Sequence, residues 1–185
     1  MNIDHSTAIF LNTFAQTPDV REAVVFFAQY FPYLVAALFL FFTLSRVLPQ
    51  REKWTLLGEG LGSALLARFG FVPLIRAFVE RPRPFVDNSA IVALFNEASY
   101  SFPSGHAAFF FALSTVVFLY NKRWGVWFYA ASIVIGLARV AAGVHYPTDI
   151  LGGAMLGGLV GFAVHRLFVK KHHHPSIPSS TEEGR

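Results

Sequence analysis

Three short segments carry the residues of this 185-residue chain that are best suited to chemistry. They contain Arg76 and Arg83, then Pro103-Ser104-Gly105-His106, then Arg139, His145 and Asp149. Guanidinium groups donate paired, planar hydrogen bonds to phosphoryl oxygens. Two histidines supply the two roles that hydrolysis of a phosphate ester or anhydride requires, a nucleophile and an acid for the leaving group. The residue types therefore indicate phosphate chemistry.

The second segment, Pro103 to His106, predicts the N-terminus of a helix. Pro103 cannot continue a preceding helix, and Ser104 is a favourable N-cap residue for the apolar run that follows. Free backbone N–H groups and the positive end of the helix dipole attract anions at such a position. We expect a phosphate group to lie there, beside the imidazole of His106.

Asp149 is expected to act on His145 from the last predicted helix, which starts at Pro147. The dipole at the start of a helix favours the ionised carboxylate. A carboxylate that accepts one imidazole N–H fixes the tautomer and leaves the other nitrogen free to attack. Asp149 is therefore predicted to orient His145.

The elements that position these residues are predicted to be membrane helices. The chain is 54% hydrophobic and only 14% charged, against about 25% charged in soluble domains. Five apolar stretches are long enough to span a bilayer, and a sixth is too short and is predicted to lie at the interface. The spans are 23–44, 54–75, 104–120, 124–142 and 147–168, and the short helix is 6–16. The predicted fold class is all-α, an integral membrane helical bundle of about five transmembrane helices plus a short N-terminal interfacial helix.

The composition also narrows the organisation of the chain and its partners. Residues 1–171 are predicted to form a single membrane-embedded domain, and the polar residues 172–185 a disordered tail. The absence of cysteine excludes disulfides and thiolate chemistry. The net charge of +4 is not arranged in a basic stripe, so no nucleic-acid partner is expected.

Three charged residues outside the motifs need an interpretation. Glu59 and Arg68 lie within the second predicted span, where charge is costly. They either line a substrate path or serve structural pairing and snorkelling, and we favour the structural role. Arg81 is interpreted as a surface anchor without a part in the site.

The distribution of basic residues predicts the orientation. Short loops on one side of the five spans carry seven cations: Arg46, Arg51, Lys53, Lys122, Arg123, Lys170 and Lys171. The positive-inside rule makes that side cytoplasmic. All three chemical segments then fall on the opposite face, so the site is predicted to face outward.

The pattern Arg76-x6-Arg83-Pro84, Pro103-Ser104-Gly105-His106, Arg139-x5-His145-x3-Asp149 closely resembles the three-part signature of the type 2 phosphatidic-acid phosphatase superfamily. Arg76 stands where the family usually has lysine, and Ala138 where it usually has serine. The resemblance implies that His145 forms a phosphohistidine, that Asp149 orients it and that His106 protonates the leaving group. It implies that the phosphoryl oxygens are bound by Arg76, Arg83, Ser104, Gly105 and Arg139, with no metal and no cofactor.

The segment 80–86 and the outward-facing site look most like the bacterial undecaprenyl-diphosphate phosphatases of this superfamily. That likeness implies a hydrolase of the bacterial cytoplasmic (inner) membrane that converts undecaprenyl diphosphate to undecaprenyl phosphate plus phosphate for cell-wall synthesis. The substrate partner would be a lipid in the bilayer; the sequence does not define the oligomeric state. The alternatives are a phosphatase of phosphatidylglycerophosphate, phosphatidate or lipid A, a non-enzymatic anion transporter, and a vanadate-dependent peroxidase.

Overall fold

The computed structural model describes residues 3–45 and 50–172, and all regular secondary structure within these ranges is helical. The α-helices are α1 (Ile3–Ala15), α2 (Pro18–Val25), α3 (Phe31–Leu44), α4 (Gln50–Leu65), α5 (Val72–Phe78), α6 (Pro84–Asp87), α7 (Gly105–Tyr120), α8 (Lys122–Ala141) and α9 (Pro147–His172). Two π-helical turns, Phe26–Tyr30 and Leu66–Phe71, join α2 to α3 and α4 to α5. The predicted all-α class is confirmed. Arg46 and the predicted tail beyond residue 172 lie outside the described residues.

Within the described ranges, four continuous helical segments have the length and apolar composition needed to cross a membrane. They are Pro18–Leu44, Glu52–Phe78, Lys122–Ala141 and Pro147–Val169, and the apolar α7 is shorter. The five predicted spans correspond to these four segments and α7. The first segment begins five residues before its predicted start, because Pro18 occupies an early helical position where its missing N–H costs nothing.

Each π-helical turn ends two residues before a proline, Pro32 in α3 or Pro73 in α5. Proline lacks an N–H and crowds the carbonyl of the residue four positions earlier, so the regular α-helical ladder cannot continue through it. The carbonyl of Ala28 therefore has no helical donor from Pro32. This backbone oxygen becomes available to a side chain from another helix.

The helix α7 forms the centre of the bundle, and small residues of α9 let the two helices approach closely. A Cβ atom on Gly153 would lie 2.5 Å from the carbonyl oxygen of Ser104, and one on Gly157 would lie 2.3 Å from that of Ala108. The close packing brings the start of α9 to the start of α7, where the Ser104 N–H donates to the Asp149 carbonyl at 3.0 Å.

The N-terminal helix α1 packs across the same end of the bundle through the buried side chain of Asn12. Its amide donates to the carbonyls of Val92 and Ala141 at 2.9 Å, and its oxygen accepts from the Val92 N–H at 2.9 Å. The helix starts at Ile3, three residues before its predicted beginning. The hydrogen bonds of Asn12 thus connect α1 to the long 88–104 loop and to α8. Phe10, on another face of α1, is exposed.

Candidate active site

The three predicted segments converge on one cavity of about 190 Å³. Six of the eight residues predicted for the site line its walls: Arg76, Arg83, Gly105, His106, Arg139 and His145. Six further residues complete the lining: Arg68, Phe69, Val72, Pro73, Glu97 and Ser99. The remaining two predicted residues, Ser104 and Asp149, are fully buried beside these walls. The cavity lies where α5, α7, α8 and the 79–104 loop meet.

Backbone carbonyls and a serine fix two of the predicted arginines. Arg76 donates from Nη2 to the Pro103 carbonyl at 2.9 Å and from Nη1 to the Ser99 hydroxyl at 2.8 Å. Arg83 donates from Nη1 to the Val144 carbonyl at 2.7 Å and from Nε to the Ser99 carbonyl at 2.6 Å. Both guanidinium groups are therefore held in place before a ligand binds, which lowers the entropic cost of binding one.

The third arginine, Arg139, is 2% exposed and is held by the first membrane segment. Its Nη1 donates to the Ala28 carbonyl at 3.3 Å, the oxygen that Pro32 leaves without a helical donor. Pro32 thus leaves the Ala28 carbonyl free to accept a hydrogen bond from Arg139. The other terminal nitrogen, Nη2, donates to Glu97.

Glu97 is an anion inside this ring of cations, and no sequence pattern predicts its position there. Its carboxylate pairs with Arg139 and, at 3.3 Å, with Arg83. Burial by itself would raise the pKa of Glu97, but Arg139 and then Arg83 outweigh burial and lower it. An ionised carboxylate therefore bridges two arginines that are predicted to bind phosphate.

Three buried side-chain nitrogens lack a hydrogen-bond partner among the described residues, and all three belong to residues that line the cavity. They are Nε of Arg76, Nε of Arg139 and Nδ1 of His145. An unsatisfied buried polar group costs about 1–3 kcal/mol, so native proteins rarely leave one without a functional reason. The two arginine nitrogens suit a ligand with several acceptor oxygens, whereas Nδ1 of His145 faces the carboxylate of Asp149 at 3.5 Å.

His145 and Asp149 lie together as predicted. The Nδ1 atom of His145 is 3.5 Å from Oδ2 of Asp149, and both side chains are almost fully buried. The Tyr146 N–H at 2.7 Å and the Ser101 hydroxyl also donate to Oδ2. Burial lowers the pKa of His145 to about 4, although Asp149 opposes that shift. The imidazole is therefore neutral at pH 7 and has a nitrogen lone pair.

His106 lies in the first turn of α7, whose N-cap is Ser104 as predicted. The Ser104 hydroxyl oxygen accepts from the Ala107 N–H at 3.5 Å. Arg68 approaches His106 with 3.5 Å between Nη1 and Nδ1. A Cβ on Gly105 would lie 3.1 Å from that Nη1, so glycine leaves room for the guanidinium.

Two of the interpretations of non-motif charges are wrong. Arg68 lines the cavity instead of serving a structural role alone, because the π-helical turn at 66–71 changes which face of the helix carries it. Arg81 contacts Asp149 directly, with 2.8 Å between Nη1 and Oδ1. The structural role of Glu59 is confirmed, since it pairs with His165 at 2.7 Å and accepts from Tyr120 at 2.9 Å.

The fold and this site together define a class of protein. The PAP2 superfamily profile matches residues 53–173, which include all three motifs. The chain therefore belongs to the PAP2 superfamily, as a multi-pass membrane phosphatase of that superfamily.

Individual proteins agree with this assignment. The bacitracin transport permease protein BcrC of Bacillus licheniformis is 28% identical over 81% of this chain and 73% of its own length. The undecaprenyl-diphosphatase BcrC of Bacillus subtilis is 31% identical over 50% of this chain, and the match spans about half (48%) of that protein. The crystal structure of Aquifex aeolicus LpxE superimposes with a TM-score of 0.72 and 26% identity, covering 90% of this chain and 96% of that one.

Proposed function

We propose that this protein hydrolyses the phosphate of a membrane-anchored lipid (di)phosphate, and that undecaprenyl diphosphate is its substrate. The observation that carries the proposal is the cavity where four arginines and two histidines meet, with Nε of Arg76 and Nε of Arg139 buried and unpartnered within the described ranges. The cavity needs an anion with several oxygens, and the neutral His145 supplies a nucleophile beside it.

In the proposed reaction, Nε2 of His145 attacks the terminal phosphorus while the bond from phosphorus to the leaving oxygen breaks. Asp149, at 3.5 Å, receives the developing positive charge on the imidazole through Nδ1–H. His106 donates a proton to the leaving oxygen. Water then attacks the phosphohistidine, His106 accepts the proton of that water, and inorganic phosphate leaves.

The arginines stabilise the charge on the equatorial phosphoryl oxygens in both steps. Arg76, Arg83 and Arg139 are held by protein carbonyls before the reaction, so little reorganisation is needed as charge develops. The phosphate must displace the carboxylate of Glu97 from Arg139 and Arg83, since both anions require the same guanidinium groups.

A second, larger cleft supports a lipid substrate. It has a volume of about 810 Å³ and shares Pro73, Arg76, Arg83, Glu97 and Ser99 with the cavity. Its other walls include the apolar side chains of Ala77, Pro82 and Val86. A phosphate in the cavity would therefore have apolar surface beside it for the first part of a lipid tail. Undecaprenyl diphosphate is further supported by the likeness to the Bacillus subtilis undecaprenyl-diphosphatase.

The deciding experiment measures phosphate release by the purified protein in detergent from undecaprenyl diphosphate, phosphatidylglycerophosphate, phosphatidate and lipid A, with and without EDTA. We expect the highest kcat/KM for undecaprenyl diphosphate and no effect of EDTA. Preference for another lipid would reassign the substrate, and loss of activity with EDTA would contradict the metal-free reaction. Halide oxidation that requires vanadate would instead identify a peroxidase.

The second candidate is transport of an anion, since the Bacillus licheniformis relative is described as a bacitracin transport permease protein. Among the described contacts, however, Glu59 pairs with His165 and Tyr120, while Arg68 approaches His106, so they share no partner. A transporter in proteoliposomes should retain anion flux in His145→Ala. A phosphatase should show no flux and lose phosphate release in the same variant.

We also propose a single domain over residues 1–171 in the bacterial inner membrane, with the site facing outward. The absence of native cysteine makes labelling selective. Ser89→Cys lies in the loop near the site, and Arg123→Cys lies at the other end of α7 and α8; both positions are exposed. An impermeant maleimide should label only Ser89→Cys in intact cells. Labelling of Arg123→Cys alone would place the site in the cytoplasm.

A further inference from the structure

The carboxylate of Asp149 is held on both of its oxygens, and the two sides have different origins. Oδ2 faces His145 and accepts from Tyr146 and Ser101. Oδ1 accepts from Nη1 of Arg81 at 2.8 Å. Of these contacts, His145 and Tyr146 come from the predicted third motif and Ser101 from the loop just before the second motif, whereas Arg81 belongs to none of the three motifs.

Arg81 is itself positioned by the N-terminal helix. Its Nη2 donates to Oδ2 of Asp4 at 2.6 Å, and its Nη1 also reaches the Thr148 hydroxyl at 2.6 Å. Its guanidinium carbon lies 4.1 Å from the ring centroid of Tyr146. Three groups thus limit the directions in which Arg81 can present its Nη1 to Asp149.

Asp4 also binds the start of α9 directly. Its Oδ1 accepts from the Thr148 N–H at 3.0 Å, and its Oδ2 accepts from the Thr148 hydroxyl at 2.6 Å. The side chain is 8% exposed. A carboxylate from α1 therefore caps the helix that carries Asp149 and, through Arg81, fixes the carboxylate of Asp149.

We propose that Arg81 and Asp4 are positioning residues of the active site, which act through Asp149 to set the orientation and basicity of the His145 imidazole. This inference rests on the proposed function of His145 and Asp149. Arg81 shares the negative charge of Asp149, so it limits how strongly Asp149 stabilises a protonated His145. Asp4 keeps Arg81 in place. Asp4 is not one of the described residues that line the substrate cavity.

Other charged groups around the pair must be kept constant in a test. Glu97, Arg83 and Arg139 line the cavity with His145, as does His106. In the described part of the chain, the ionisable side chains that form ion pairs with Asp149 are those of Arg81 and His145. A change at Arg81 therefore reaches His145 mainly through Asp149.

The kinetic test uses Arg81→Met, the conservative Arg81→Lys, Asp4→Asn and the double variant Arg81→Met/Asp4→Asn, with the exposed Arg21→Gln as control. A misplaced catalytic group costs about a hundredfold in rate. We expect kcat to fall about a hundredfold in Arg81→Met and less in Arg81→Lys and Asp4→Asn, with KM within about threefold. The double variant should match Arg81→Met, since the oxygen of the asparagine can still accept from the Thr148 N–H and Asp4→Asn then loses only the contact with Arg81. Additive losses, or an Arg81→Met enzyme equal to Arg21→Gln, would overturn the proposal.

A second measurement does not depend on activity. The ring nitrogens of His145 can be titrated by 15N NMR in detergent, with the signal assigned by its loss in His145→Asn. Removing the positive charge of Arg81 should raise the pKa of His145 by about one pH unit, while Arg21→Gln leaves it unchanged. An unshifted titration would contradict the proposal. If the wild-type protein hydrolysed no lipid phosphate but the shift were present, the proposed function would fail and the coupling of Arg81 to His145 would stand.

Discussion

Two buried polar clusters lie toward opposite ends of α9 and are built on opposite principles. The outer cluster surrounds Asp149, and the inner one joins Glu59 to His165 and Tyr120. Asp149 and His165 are sixteen residues apart, which corresponds to about 24 Å of α-helix. The inner cluster matches one carboxylate with two partners, whereas the outer cluster has more cations than anions and two unpartnered arginine nitrogens among the described residues.

The difference separates a structural cluster from a binding site. In a membrane interior, a charged group such as Glu59, which is 1% exposed, is tolerated when protein partners satisfy it. The outer cluster leaves part of its hydrogen-bonding capacity unused, and that capacity is what an incoming phosphate would satisfy. Substitutions in the two clusters should therefore differ: those in the outer cluster should reduce activity, and those in the inner cluster should reduce stability.

The largest expected effect comes from His145→Asn. Removing a covalent nucleophile that works as part of a unit costs about 10⁴-fold or more in kcat. The matched control is His165→Gln, which changes the histidine of the inner cluster and retains a side-chain donor for Glu59. A reaction with labelled substrate is quenched, and the acid stability of the labelled phosphoprotein is measured. An acid-labile phosphoprotein in the wild-type protein shows that the phosphohistidine has formed. An acid-labile phosphoprotein that persisted in His145→Asn would assign the nucleophile to another residue.

Arg139→Met should have the next largest effect. The guanidinium is nearly inaccessible to water and holds both Ala28 and Glu97, so its loss removes a preorganised donor from the phosphoryl oxygens. We expect kcat/KM to fall about 10²- to 10³-fold. Arg166→Met is the control, since Arg166 is an exposed arginine of α9 near the inner cluster. Equal losses in the two variants would mean that Arg139 acts only on folding.

His165→Ala should affect stability instead of chemistry. It leaves the buried Glu59 with Tyr120 as its remaining partner among the contacts described, and losing a hydrogen bond to a charged group costs about 2 kcal/mol. The melting temperature in detergent should fall, while kcat at a temperature where the protein is folded stays within about twofold. A large loss of kcat with an unchanged melting temperature would give the inner cluster a role in the reaction.

The sequence was sufficient for the parts of the site that depend on local spacing. Ser104 caps α7, and Asp149 reaches His145, because both relations span four residues or fewer of one helix terminus. Arg68 was misjudged because a π-helical turn shifts the helical face. Glu97 was missed because the 88–104 loop has no periodicity that could place its side chains.

The role of Arg81 was unpredictable for a different reason. Its partners Asp4 and Asp149 are 77 and 68 residues away in sequence, and nothing in the composition of α1 indicates that it packs over the start of α9. Long-range pairing of this kind depends on tertiary packing, not on local pattern.

Glu97→Gln tests whether the anion already present in the outer cluster competes with phosphate. The carboxylate of Glu97 neutralises two arginines that the phosphate requires. The neutral amide of glutamine should compete less well with phosphate for these two guanidinium groups. We expect the inhibition constant of inorganic phosphate to fall about tenfold, in line with the net value of a partly buried charge pair. Glu80→Gln, at an exposed glutamate before the same loop, should leave that constant unchanged. A weaker inhibition in Glu97→Gln would show that Glu97 helps to bind the phosphate.

The smallest expected effect is that of mild acid on the nucleophile. An unperturbed histidine would lose its lone pair near pH 6.5, but burial lowers the pKa of His145 to about 4. The acid-side inflection of kcat/KM reports this group in the free enzyme, so acidification from pH 6.5 to 5 should cost less than about twofold through His145. Stability follows the same sign: the unfolded state binds the proton first, so the contribution of His145 is complete above about pH 6.5 and is lost as the pH falls toward 4. An inflection near pH 6.5 that coincided with the 15N titration of His145 would mean that water reaches the imidazole as freely as it reaches an exposed histidine.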